Sequence, residues 1–150
     1  MTLTLDTPTE LLDHVGEHLG TSSWRLMTQR HVDSFADLTG DDQWIHTDAR
    51  RASGGPFGTT IVHAFLTLAL APAIVAEVVR IREIAAALPI GLREVRFPKP
   101  LHVGTWTRAT VVVKHAEQKI VGVEVTFVLT YEIKGSDQPV CVAEMIVIYP

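Results

Sequence analysis

The segment Asp41-Asp42-Gln43-Trp44-Ile45-His46-Thr47-Asp48 concentrates carboxylates around a histidine, and no apolar period runs through it. Asp41 and His46 stand five positions apart. A helix would set them about 140° apart and a strand would put them on opposite faces, so only an irregular loop brings them together. Gly40 and the missing period allow such a loop. Once together, the pair would hold a water or a substrate proton, because imidazole titrates near neutrality and a neighbouring carboxylate orients it. The competing reading is a turn in which aspartate caps backbone amides beside a half-buried histidine. Residue types and spacing leave both open.

A metal centre would recruit His46, Asp48 and His63, yet His-x-Asp with a third ligand seventeen residues on matches no standard ligand spacing. No resident cofactor is expected. The single cysteine, Cys141, lies in an apolar run, where a structural thiol is expected and no intrachain disulfide can form. Gly54-Gly55-Pro56-Phe57-Gly58-Thr59-Thr60 has neither the Walker lysine nor the G-x-G-x-x-G spacing, so it reads as a turn feeding a helix. The amides of Ile61 to Leu66 then lie at a buried helix N-terminus. They suit an oxyanion or a polarised carbonyl, unless Thr59 or Thr60 caps them. Arg93, Arg96 and Lys99 offer cations to a phosphate group or else form a solvated edge. His14, His18, His31, His102 and His115 read as surface or structural residues.

These groups must be positioned by a chain of 150 residues, 47% hydrophobic and 20% charged, which is one domain with a sizeable core. The net charge of −4 argues against a nucleic-acid partner and against a polybasic membrane anchor. The N-terminal residues lack the pattern of a secretory signal, so a cytoplasmic site is expected. Ile61 to Val79 is nearly all apolar, but His63, Pro72 and Glu77 interrupt it, so no membrane span is expected.

Thr7-Pro8-Thr9-Glu10 has the form of a capping box, and Leu11, Leu12, Val15 and Leu19 continue at helical spacing up to Gly20. Ser23 to Thr28 reads as a short strand. Val32, Phe35, Ala36 and Thr39 form a second helical stripe ending at Gly40, and Asp48 to Ala52 reads as a helical turn. A long helix is expected from about Ile61 into Ala85 to Leu88, apolar all round in its first half, which requires enclosure. Four strand-like runs follow at Ile90–Phe97, Thr105–His115, Lys119–Ile133 and Val140–Tyr149. In the third, Val121, Val123, Val125, Phe127, Leu129 and Tyr131 alternate with small and polar residues, the signature of a strand with one buried face. The expected architecture is α+β: a curved antiparallel sheet of about five strands wrapped around one long buried helix, with sequential strands as neighbours. Its exposed edges point to a homodimer that continues the sheet.

Read as one string, Phe35 to Asp48 and then Gly55 to Leu68 resemble the hydratase motif of the MaoC-like, (R)-specific enoyl-CoA hydratases, in the branch that includes nodulation protein N. Gly91-Leu92-Arg93-Glu94-Val95-Arg96-Phe97-Pro98-Lys99-Pro100 and Val103-Gly104 resemble the family's strand after the helix. The resemblance implies the hot dog fold and a pair of protomers. It implies that Asp41 and His46 hold the catalytic water and that the Ala64 amide binds the thioester oxygen, with His63 and Gly58 as further substrate-binding positions. The implied reaction adds water to a trans-2-enoyl thioester, with coenzyme A or a carrier phosphopantetheine borne by the substrate and no cofactor of the protein's own. The sequence departs from the family pattern in three places: Gln43-Trp44 stands for Asn-Pro, Ala64 for glycine, and Pro72 for a serine found in some members. A hot dog thioesterase would place a carboxylate early on the central helix, whereas the first acid there is Glu77. A third reading is an acyl-thioester-binding module without turnover.

Overall fold

The computed structural model describes residues 2–150. Strand β1 (Leu3–Leu5) leads into a 3₁₀ turn over Pro8–His14, opened by the Thr7 capping box, in which Glu10 Oε1 accepts from the Asp6 and Thr7 amides, both at 2.8 Å. The helix expected to run on to Leu19 stops at His14. Gly16 turns the chain with φ 87°, and His18–Thr21 becomes strand β2. The expected strand at Ser23 to Thr28 shrinks to β3, Arg25–Leu26. Helix α1 (Gln29–Thr39) begins at the Thr28 cap and ends where Gly40 takes φ 78°, with the Gly40 amide donating to the Ala36 carbonyl.

Two short helices interrupt the aperiodic stretch: α2 (Trp44–Thr47) and α3 (Ala49–Ser53). The long central helix is in fact two, α4 (Ala64–Ala69) and α5 (Ala71–Val78). Pro72 explains the break, since it has no N–H to give the preceding turn. The expected continuation to Leu88 fails because Val79–Ile81 is strand β4, paired in parallel with β1 through Leu3↔Val79 and Leu5↔Ile81. A long-range pairing overrides the helical spacing of Glu77, Arg80 and Glu83.

The four strand runs are present as β5 (Leu88–Arg96), β6 (Trp106–Lys119), β7 (Gly122–Ile133) and β8 (Cys141–Tyr149). The main sheet runs β2-β6-β7-β8-β5, with β3 also on β6. Hence β5 neighbours β8, not β6 as simple succession would have it, and residues 97–105 cross from one edge toward the other. Val123, Val125, Phe127, Leu129 and Tyr131 of β7 face inward and are buried, while Val121 sits exposed in the turn before the strand. They meet Ile74 and Val78 of α5 and Val111 and Val113 of β6 in one core. Each such side chain contributes roughly 1.5–3 kcal/mol relative to exposure. Among the described residues no helix is long and apolar enough to cross a membrane.

Candidate active site

Gly40 reverses the chain and releases Asp41 from α1, and α2 then carries His46 back toward it. One ligand-capable atom from each of Asp41, His46 and His63 lies within 4.8 Å of the others. The Asp41–His46 pair is therefore assembled by a loop and a single helical turn. His46 is buried, and its Nδ1 donates to the Ile61 carbonyl at 2.7 Å. A carbonyl only accepts, so the proton of the neutral ring sits on Nδ1 and the lone pair on Nε2. Gln43 Nε2 donates to Asp41 Oδ1 at 3.0 Å, so the glutamine orients the carboxylate.

His63 is 1% exposed, lies just before α4, and stacks on His46 with ring centroids 3.9 Å apart and planes inclined by 25°. Its Nε2 donates to the Asp41 backbone carbonyl at 2.8 Å, and the Phe35 ring of α1 packs against it with centroids 4.9 Å apart, tilted by 55°. His63 thus braces both members of the pair. Nearly parallel rings aim their in-plane lone pairs side by side, whereas a metal needs lone pairs converging at about 2.0–2.1 Å. Asp48 is also spent elsewhere, since it caps α3 by accepting from the Arg51 amide at 2.9 Å. With these atoms already engaged and the two rings stacked, the cluster fits a metal poorly.

A cavity of about 260 Å³ opens beside these residues and is lined by Asp41, His46, His63, Ala64, Thr67 and, from the crossover, Lys99. Among the described residues the Ala64 amide has no acceptor, and neither Thr59 nor Thr60 caps it. The Thr60 hydroxyl instead donates to Gln29 Oε1 at 2.6 Å. Ala64, with its amide free, therefore lines the same cavity as Asp41 and His46.

Gly58 does not line this cavity. It sits in the preceding turn with φ 71°, a conformation that glycine adopts without strain, and its amide donates to the Gly55 carbonyl. Its role is to bring the chain to Thr60 and Ile61. Gly55 serves packing, since a Cβ there would stand 3.0 Å from the Trp44 ring. Of the three cations considered for phosphate, Lys99 reaches the cavity wall and donates to Ser136 Oγ at 2.8 Å, while Arg96 pairs with Glu94.

The carboxylate that a thioesterase would need on α4 is absent. On α5, Glu77 is turned away, accepting from the Ser23 amide at 2.5 Å and from Arg25 at 2.7 Å. Burial alone would raise the pKa of its carboxyl, but the hydrogen bonds from Ser23 and Arg25 and the Arg25 charge hold Glu77 below the usual carboxylate value. Cys141 is sealed in the core, and burial pushes its thiol up to about 11, consistent with a structural role.

Two apolar cavities lie elsewhere along the helices and share no lining residue with the polar one. A groove of about 370 Å³ between Leu68, Ala71, Leu92 and Met145 shares Pro72 and Met145 with a second cavity of about 220 Å³, which Val75, Val147 and Tyr149 help to line. Gln29, Phe35 and the Ile61 carbonyl are the supports that sequence reasoning missed, since none has a chemical signature at the level of residue type.

Comparison with known proteins agrees with this architecture. The "MaoC like domain" model matches residues 10–134. The 3-hydroxyacyl-thioester dehydratase Z of Mycobacterium tuberculosis is 45% identical over 147 residues, covering 97% of each chain. Nodulation protein N of Rhizobium leguminosarum bv. viciae is 37% identical over 137 residues, covering 89% of this chain and 85% of its own. Among solved structures, the R-hydratase PhaJ1 of Pseudomonas aeruginosa aligns with TM-score 0.74 at 23% identity, over 91% of this chain and 81% of that one. Fold, family model and near-full-length relatives coincide on one assignment: the chain belongs to the MaoC-like dehydratase family and has its hot dog fold.

Proposed function

We propose that the protein is an (R)-specific enoyl-thioester hydratase, adding water reversibly to a trans-2-enoyl thioester to give the (3R)-3-hydroxyacyl thioester. The observation that carries this reading is the convergence in one cavity of a free helix-start amide at Ala64 and the Asp41–His46 pair. His46 Nε2 takes a proton from water while the Asp41 carboxylate accepts the other hydrogen and orients the oxygen. The water oxygen bonds to the β-carbon, and the double-bond electrons shift to the α-carbon and the thioester carbonyl. The Ala64 amide stabilises that oxyanion, and the proton held by the pair returns to the α-carbon. The 3-hydroxyacyl-thioester dehydratase named for the mycobacterial relative is the same reaction in reverse.

Loss of the enoyl absorbance of crotonyl-CoA, with longer CoA and carrier-protein thioesters in parallel, tests the proposal. Hydration of at least one chain length is expected. Release of free thiol without hydration would replace it with thioester hydrolysis, and tight binding without turnover would replace it with a binding module.

The chemistry needs no metal or cofactor of the protein's own, and the substrate carries its coenzyme A or phosphopantetheine from a cytoplasmic pool. Dialysis against EDTA is therefore expected to leave kcat unchanged, and a loss restored by a divalent cation would contradict the reading. We also propose a homodimer joined through β5, the sheet-edge strand, which exposes Leu88, Ile90 and Leu92 at 48%, 54% and 49%. A long apolar edge of this kind invites pairing with a second copy. In sedimentation equilibrium the native protein is expected at twice the 16.5 kDa of one chain, and an Ile90→Lys, Leu92→Lys double variant at the single mass. A variant that stays dimeric would move the interface elsewhere.

A further inference from the structure

The geometry points to Gln29 as a positioning residue that fixes His46 relative to the start of α4, an inference that rests on the hydratase reading above. Gln29 is the first residue of α1, and its amide spans three segments. Nε2 donates to the His46 carbonyl at 2.7 Å and to Asp33 Oδ1 at 2.8 Å, and Oε1 accepts from Thr60 Oγ1 at 2.6 Å. Thr60 is buried and precedes Ile61, whose carbonyl holds the His46 ring and whose amide donates to the Ile45 carbonyl at 2.9 Å. The result is a closed circuit: Gln29 to the His46 backbone, the His46 ring to Ile61, the Thr60–Ile61 peptide, and the Thr60 hydroxyl back to Gln29.

This circuit matters because α2 is only four residues long. A single turn has almost no cooperative stability of its own, so His46 stays in place through bonds to its neighbours. Ala64 follows Ile61 by three residues, so the peptide that anchors the His46 ring also leads to the oxyanion donor. One side chain thereby sets the separation between the base and the place where negative charge develops. Only a primary amide of this length donates to His46 and accepts from Thr60 together. Glutamate keeps the acceptor but sets a negative charge against the His46 carbonyl. Asparagine is one methylene short.

Gln29→Glu is a mild change for the fold, since the gain from an acid in the first turn of a helix offsets the like-charge contact it makes with Asp33 four residues on. Its melting temperature is expected to stay near wild type. For whichever enoyl thioester the native enzyme hydrates, kcat is expected to fall about 10- to 100-fold with KM within about threefold, the scale of a small misplacement of a reacting group. Thr60→Val, which opens the circuit at the other end, should lower kcat similarly. The double variant should cost no more than the larger single loss, because both break one circuit. Long-range proton–nitrogen NMR of the His46 ring reads positioning without turnover: a single Nδ1–H tautomer in the native chain and a tautomer mixture in Gln29→Glu. Wild-type kcat and an unchanged tautomer in Gln29→Glu would overturn the assignment, as would strictly additive losses in the double variant. Absence of activity in the native chain would refute the hydratase reading instead, and the tautomer comparison would still decide whether Gln29 positions His46.

Discussion

Replacing His46 by glutamine is expected to lower kcat for enoyl-thioester hydration at least ~100-fold, about 2.7 kcal/mol of transition-state stabilisation, with the fold retained. The fold survives because a glutamine amide can still donate to the Ile61 carbonyl in place of Nδ1. The loss of ring stacking on His63 costs about 0.5–1.5 kcal/mol. What disappears is the unprotonated Nε2, the one atom of the side chain able to take a proton from water. Asp41→Asn belongs to the same experiment and should fall by a similar factor. His63 is anchored to the Asp41 backbone carbonyl and not to the side chain, so this change leaves that brace in place. Gln43 Nε2 can still donate to Oδ1 of the asparagine. Both variants should therefore keep their melting temperature within a few degrees of the native chain. Rates within about threefold of wild type in both would remove the pair from the mechanism.

How far this site can be read from residue order depends on how local its determinants are. The end of α1 at Gly40 is local, because a helix stripe runs out at the residue best able to take a left-handed φ, and so the loop that frees Asp41 was legible. The inward face of β7 was legible for a similar reason: a strand in the middle of a sheet has no choice but to alternate. The central helix was not. Its apolar positions mark the segment as buried without saying where it ends, and the ending depends on Leu3–Leu5 pairing with Val79–Ile81, more than seventy residues away. The placement of β5 beside β8 depends likewise on a crossover whose composition resembles any loop. Within the site, Asp41, His46 and Ala64 carry motif-level signatures, while the atoms that aim them are a backbone carbonyl at Ile61 and the amide of Gln29. Backbone groups are the same at every position, and a glutamine at the first position of a helix looks like any polar surface residue. Gly58 shows the converse: it stands inside a motif, yet the structure places it in the turn with φ 71° and outside the cavity wall.

Ala64→Pro is expected to be nearly silent for folding and to reduce kcat about 10²–10³-fold, the range for removing one oxyanion donor. Ala64 is the first residue of α4, a position where proline is well tolerated because its N–H takes no part in the helix. The preceding residue must then be extended, and His63 already has φ −55° and ψ 133°. The substitution therefore takes away one N–H and sets a ring carbon where it pointed, leaving the developing oxyanion unpaired and crowded. Asp41 and His46 lie on other elements and keep their own bonds, so the base still meets water. Ala64→Gly is the matched control: it retains the donor and removes a methyl from the cavity wall, so its rate should equal or exceed wild type, most visibly on bulky acyl groups. Full activity in Ala64→Pro with an intact fold would place the oxyanion elsewhere, and a lowered rate in Ala64→Gly would trace the effect to helix stability at this position and not to the amide. The two readouts differ because glycine weakens a helix start while proline does not, and only proline lacks the hydrogen that the enolate oxygen needs.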